Sequence, residues 1–287
     1  MKRVRNITLF LVLLSALGYI CIALLSVYII IVPHKSNKVS YTGQKVCITS
    51  FDGKQLAAYK KTPTNCGHKW VLLVHSYRSD HTFMNPYAEE YLNNNYIVLQ
   101  PDNRAHGDSQ GDFIGMGYLD QYDLLQWIQY IIMQDPEAEI VLHGVSMGAS
   151  ALMMLSSQDN IPDNIIAIIE DSGYKSADDY LAWKLKKKAH LPAFPAIPIA
   201  NTATKLIAGY SLYDASAIEG VKHSKVPILF IHGTNDQTVP VEDAYDLYNA
   251  ASCRKDLLII NNAGHGEAVV IDEQLYWSSV YQFINKN

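Results

Sequence analysis

The chain is short of cysteine, short of basic charge and empty of the compact patterns that hold metals or nucleotides. Four cysteines in 287 residues are too few for a disulfide-dense secreted scaffold, and their spacing matches no structural zinc site. Lysine and arginine number 23 against 28 aspartates and glutamates, so no basic surplus is available for nucleic-acid phosphates. There is no HExxH, and Gly111, Gly115 and Gly117 lack the lysine and hydroxyl residue of a phosphate loop. Neither a metal, a cofactor nor a nucleic-acid partner is expected.

Charge is also missing over one long stretch. Residues 1–32 carry Lys2, Arg3 and Arg5 and no acid, and residues 7–32 form an uncharged apolar run of 26 residues. As a helix this run would be roughly 39 Å long, enough for a hydrocarbon core of about 30 Å. A cleaved secretory signal is the rival reading, with an apolar region of roughly 7 to 15 residues and a small-x-small cleavage site. Here the run is longer and ends in the bulky Tyr28–Val32. The expectation is an N-terminal transmembrane helix over residues 1–32 that keeps its short N-terminus in the cytoplasm. A polar tether over 33–42 and the main domain over 43–287 follow. The protein would then be a single-pass protein of the cell membrane with its main domain extracellular and the membrane as a partner.

Of the cysteines, Cys21 lies in the apolar run, leaving Cys47, Cys66 and Cys253. Cys47 and Cys66 flank two strand-like segments and could be bridged in an oxidising compartment or remain free thiols.

What the chain does contain is alternation. Residues 46–61 read as a hairpin around Asp52-Gly53. Short apolar strands follow at 70–74, 96–99, 139–142, 165–169, 226–231 and 256–260, covered on both faces by their pattern. Helical segments fall between them: from Asn85-Pro86, from near Gly117 to Asp135, from Gly148 to about Ser157, over 241–252 and over about 269–285. That order predicts an α/β fold, with a mostly parallel central sheet and helices on both faces. Residues 174–224 interrupt it with more chain than one crossover helix needs; they are read as a short helical cap inside the domain.

Ligands in open parallel sheets bind beyond the C-terminal strand ends. Four such ends carry chemistry: His75-Ser76-Tyr77, Ser146, Asp236 and His265. Ser146 stands between Gly144 and Gly148, straight after a strand and straight before a small-residue helix. Glycines there let neighbouring backbone approach, and a helix N-terminus presents free N–H groups to developing negative charge. His265, flanked by two glycines in a polar loop, can accept a serine proton and return it. Asp236 can fix its tautomer; Glu170 and Asp171 are rival acids, and Glu242 and Asp243 read as helix-start carboxylates.

Gly144-Val145-Ser146-Met147-Gly148 resembles the G-x-S-x-G nucleophile elbow of the α/β-hydrolase family, and the order Ser146, Asp236, His265 is similar to that family's nucleophile, acid, base order. Residues 101–109, 226–236 and 262–266 carry the likeness further, so that it covers roughly residues 43–285. The chain looks most like the bacterial, often membrane-anchored or secreted, esterase/peptidase-like branch with a short cap. The resemblance implies an α/β-hydrolase fold with Ser146, Asp236 and His265 as catalytic residues. It further implies an oxyanion hole built from the backbone amides of Met147 and Tyr77. Ser76 departs from the glycine common in the family at that place. Arg104, His106 and Asp108 read as scaffold.

The reaction so implied is ester hydrolysis through a serine acyl-enzyme, on a small-molecule or lipid-like acyl substrate. Amide or peptide hydrolysis would use the same residues. A non-catalytic, membrane-tethered interaction protein on the same fold is the reading from a different class. Trp183, Phe194, Ile197, Ile199 and Leu206 of the cap are candidate walls of an apolar pocket.

Overall fold

The computed structural model describes residues 2–35 and 43–286. Residues 36–42, most of the expected tether, lie outside the described residues. An eight-stranded sheet forms the centre, in the order β1-β2-β4-β3-β5-β6-β7-β8. Its edge is the expected hairpin, β1 (Gln44–Thr49) and β2 (Gln55–Lys61), antiparallel to each other, with β2 also antiparallel to β4 (Ile97–Pro101). From β4 through β3 (Lys69–Val74), β5 (Glu139–Val145), β6 (Ile165–Asp171), β7 (Ile228–Gly233) and β8 (Lys255–Ile260) every pairing is parallel.

Strand alternation divides the core in two. Leu72 and Val74 of β3 face α3 (Asp120–Gln134) and α4 (Met147–Leu155), whose Leu124, Trp127, Ile128 and Leu152 are buried in the same cluster. Val71 and Leu73 face the other way, against Tyr87 and Tyr91 of α2 (Asn85–Asn93) and Trp277 and Val280 of α10 (Glu273–Ile284). A strand covered on both faces reads as a continuous apolar run for this reason.

Two helix boundaries differ from the sequence pattern, each for a capping reason. Helix α3 begins at Asp120, not near Gly117, because the Asp120 carboxylate accepts the Gly117 N–H at 2.9 Å while Met116 and Gly117 take positive φ. The last helix is two, α9 (Ala268–Ile271) and α10, because Asp272 leaves helical geometry and caps Leu275 N–H at 3.0 Å. Between β6 and β7 lie α5 (Ala177–Lys184), a π turn (Leu185–Ala189), α6 (Ala196–Ala208) and α7 (Ala217–His223), with α8 (Val241–Ala250) following β7.

The N-terminal anchor is corrected. Among the described residues no helix is long and apolar enough to cross a membrane. The expected transmembrane helix, the membrane as partner and the extracellular placement of the catalytic domain fall with it. The C-terminal part of α1 (Lys2–Ile31) is built into the domain, while large apolar side chains nearer its start, among them Leu9, Phe10, Leu13 and Leu17, are exposed. Ala23, Val27 and Ile31, spaced by four on one helix face, are buried within the domain, and α1 packs along α6. Its C-terminal carbonyls are capped by the fold itself. Tyr77 OH donates to Ile29 O and Ile30 O at 3.1 Å each, Arg78 to Ile29 O at 3.2 Å, and Ile114 N–H to Ile31 O at 2.8 Å. His34 N–H then joins the chain to Ala105 O at 2.8 Å. Cys47 and Cys66 are both free and exposed, so the candidate disulfide is absent too.

Candidate active site

The tight turn between β5 and α4 sets the centre of the site. Ser146 occupies it with φ 56° and ψ −118°, a left-handed setting that costs a non-glycine residue of order 1–3 kcal/mol. Its neighbours hold it there: Ser146 N–H donates to Asp171 O of β6 at 2.8 Å, and Ser150 N–H returns to Ser146 O at 3.0 Å. A Cβ on Gly144 would stand 2.6 Å from Ala149 N, and one on Gly148 2.8 Å from His75 O. Both flanking glycines are therefore sterically required.

Two loops reach Ser146 from the far side. Thr234 N–H bonds Ile260 O at 3.0 Å, Asn235 N–H bonds Ala263 O at 2.9 Å, and Asn262 N–H bonds Thr234 Oγ1 at 2.9 Å. These bonds zip the loop after β7 to the loop after β8, and Gly233 leaves no room for a Cβ against Ala263. Gly266 N–H, bonded to Ser172 Oγ at 3.2 Å, pins the second loop to the end of β6.

The result is a hydrogen-bonded line. His265 Nδ1 lies 2.7 Å from Asp236 Oδ2, and His265 Nε2 lies 2.8 Å from Ser146 Oγ. A carboxylate only accepts, so Nδ1 carries the proton and Nε2 is left to accept the Ser146 hydroxyl. Asp236 is fixed in turn by Thr238 N–H at 2.7 Å and Val239 N–H at 2.9 Å, both on Oδ1. Burial would raise its pKa, but the bonds from His232 and His265 outweigh burial and hold it well below the usual carboxylate range. The group is an anion at any physiological pH.

The rival acids sit elsewhere. Asp171 accepts Ser172 OH at 2.8 Å and Tyr276 OH at 3.0 Å, and burial raises its pKa. Glu170 accepts Gly173 N–H at 3.0 Å and is pushed up to about 8 by burial. Asp243, at the start of α8, accepts Lys175 N–H at 3.2 Å. None is hydrogen-bonded to His265.

Met147 opens α4, so its N–H has no intrahelical acceptor. Tyr77 lies in the loop after β3, which meets the first turn of α4 at Gly148 through the Val74 and His75 carbonyls. Among the described residues neither the Met147 nor the Tyr77 amide has a backbone acceptor. His75 pins this loop: Nε2 accepts Asn103 N–H at 2.9 Å, Nδ1 is 2.7 Å from Ser76 O, and Asn103 Nδ2 donates to His75 O at 3.0 Å. His106 Nε2 accepts Arg78 N–H at 3.1 Å, and burial lowers its pKa to about 3, so it stays neutral. Arg104 is buried in a two-bond pair with Asp123 at 2.7 Å, and Asp108 pairs with Lys45 and Tyr59. These are frame contacts, and among the described residues none of the three side chains is hydrogen-bonded to Ser146, Asp236 or His265.

Beside Tyr77 lies an apolar cavity of about 280 Å³, walled by Tyr77, Met116, Tyr180, Leu181, Val27 of α1 and Ile197 of α6. Of the five cap residues expected as walls, Ile197 lines it, while Ile199 is half-buried away from it, Phe194 and Leu206 are exposed and Trp183 faces a second cleft. Sequence reasoning missed the share of α1 in this cavity, because an apolar run of that length reads first as a membrane span. It also passed over His232, whose Nε2 lies 3.2 Å from Asp236 Oδ2. The available signal was a histidine inside an otherwise apolar strand, four residues before the acid. Among the described residues no group of three or more His, Cys, Asp or Glu side chains is arranged to hold a metal ion.

Comparison with known proteins places this geometry in a family. The family model described as "Alpha/beta hydrolase family" matches residues 71–274. The chain is 28% identical over 200 residues to YqkD, an uncharacterised protein of Bacillus subtilis (strain 168), across 69% of this chain and 65% of that protein's length. In structure it resembles the Pyrococcus furiosus esterase Pf2001, with a TM-score of 0.72, 24% identity, and 89% of this chain and 98% of that one covered. It also resembles the Pyrococcus horikoshii acylaminoacyl peptidase, with a TM-score of 0.65, 16% identity, and 86% and 42% covered. At such identities the solved structures speak for the fold alone.

Proposed function

The chain belongs to the α/β-hydrolase family, and we propose that it is a serine esterase cleaving carboxylic esters through an acyl-enzyme. The observation that carries the reading is the unbroken line from Asp236 through His265 to Ser146 Oγ, at 2.7 and 2.8 Å. Ser146 Oγ attacks the ester carbonyl as His265 Nε2 takes its proton. The carbonyl oxygen gains the negative charge, which the Met147 and Tyr77 amides receive at the N-terminus of α4. His265 passes the proton to the departing alkoxide, leaving the acyl group on Ser146. Water then attacks the acyl carbonyl as His265 takes its proton, and His265 returns that proton to Ser146 Oγ as the Oγ–acyl bond breaks and the carboxylic acid leaves. Asp236 remains ionised throughout and stabilises the imidazolium.

The substrate is an ester with an apolar acyl group of modest size. The cavity beside Tyr77, at about 280 Å³, sits near the lower end of small-molecule pockets, roughly 300–1,000 Å³. The helices between β6 and β7, residues 174–224, act as the cap that sets this choice. Nitrophenyl acetate, butyrate, octanoate and laurate, compared with aminoacyl nitroanilides, test the reading. Esters should be cleaved faster than the anilides, with butyrate or octanoate preferred over laurate. Faster turnover of the anilides would make the protein an amidase or peptidase instead.

A further inference from the structure

His232 is buried completely in β7, directly beneath the loop that carries Asp236. Its Nε2 stands 3.2 Å from Val239 O and 3.2 Å from Asp236 Oδ2. Both neighbours are acceptors, so Nε2 must carry a proton. The N–H points at Val239 O, with the carboxylate oxygen as its second acceptor. Asp236 Oδ2 is also the oxygen that binds His265 Nδ1. One carboxylate oxygen is thus shared by two imidazoles, one facing Ser146 and one facing the core.

Acidic side chains surround His232, with Asp236 ionised and Glu170 kept protonated at neutral pH by burial. Glu170 and Asp171 of β6, Asp243 of α8 and Asp236 itself all interact electrostatically with it. Burial opposes charge on this imidazole, but the bond to Asp236 leads the interactions that outweigh burial and raise its pKa. His232 Nδ1 and Glu170 Oε1 are both buried without a hydrogen-bond partner among the described residues. A histidine serving only to fill the core has no need of such neighbours.

We propose that His232 is a positioning residue of the serine hydrolase site, acting through Asp236 by holding its Oδ2 and drawing charge from it, so that the basicity of His265 is set from the core side. The proposal rests on the triad reading above. Its sign follows from electrostatics. Loss of the His232 donor leaves more negative charge on Asp236, which favours the protonated imidazole at His265. The acid limb of any reaction that needs His265 as base then moves to higher pH.

The test needs no knowledge of the substrate. The rate of Ser146 modification by a fluorophosphonate is measured against pH for wild type, His232→Gln and His232→Asn. Gln places an amide N–H where Nε2 stands, whereas Asn stops short at the place of Nδ1; both are polar and buried alike. The Asn variant should show its acid limb displaced upward by about one pH unit with a lowered plateau, and Gln should restore the midpoint toward wild type. Coincident midpoints in all three proteins, or equal shifts in both variants, would overturn the role of His232. Wild type left unmodified at every pH would overturn it together with the triad reading, which keeps the two failures distinct. Independently of any variant, the ring-nitrogen NMR of histidine-labelled wild type should show His232 Nε2 protonated across neutral pH. An unprotonated Nε2 would contradict the proposal.

Discussion

Gly148 lies against the carbonyl of Val74 so closely that no side chain fits between them, and its Cβ would also meet His75 O at 2.8 Å. The first turn of α4 is thereby pressed onto the loop that carries Tyr77. Gly148→Ala must push these two backbones apart, with an overpacking cost of about 1–3 kcal/mol. Denaturant unfolding should register that loss, and fluorophosphonate labelling of Ser146 should slow as the amides of Met147 and Tyr77 separate. A variant as stable and as reactive as wild type would contradict the close packing described.

Stability should depend on pH through Glu170. Burial raises its pKa from 4.5 to about 8, so between those values the folded protein keeps a proton that the unfolded chain has released. Folding then becomes less favourable as pH rises through this window. Glu170→Gln removes the dependence while keeping an acceptor for Gly173 N–H. Relative to wild type the variant should gain stability between pH 5 and pH 8, on the order of a few kcal/mol. Paired melts at the two pH values measure it, and parallel curves would place an ionised Glu170 in the fold.

Tyr77 joins two functions that a single substitution separates. Its phenol caps Ile29 O and Ile30 O of α1 at 3.1 Å, while its amide is the proposed second oxyanion donor. Tyr77→Phe should loosen the last turn of α1 by about 1 kcal/mol, seen as faster hydrogen exchange over residues 27–32. Labelling of Ser146 should remain near wild type, because the backbone donor is untouched. Labelling that collapses with exchange unchanged would put the phenol itself at the reacting centre.

Much of this fold is legible in sequence because buried parallel strands are short apolar runs and the helices between them end at capping residues. The elbow is local, since Gly144 and Gly148 are fixed by contacts within a few residues and across one loop. Ser146, Asp236 and His265 could be named because each follows a strand, and parallel strands bring their C-terminal ends to one edge. Helix α1 could not be read correctly: an apolar face that packs on α6 and one that meets lipid look the same in one dimension. His232 was missed for the opposite reason. A single polar residue inside a strand gives no periodic signal, and its meaning depends on Glu170, Asp171 and Asp243, which are separated from it along the chain and converge only in the fold.

Whether Ser146 is the nucleophile is decided by fluorophosphonate treatment of the native protein followed by peptide mapping. One phosphonyl group per chain is expected, on the peptide bearing Ser146, and none on Ser146→Ala. An unlabelled wild-type protein, or an adduct of equal yield on the Ser146→Ala variant, would contradict it and favour a binding protein on a hydrolase fold.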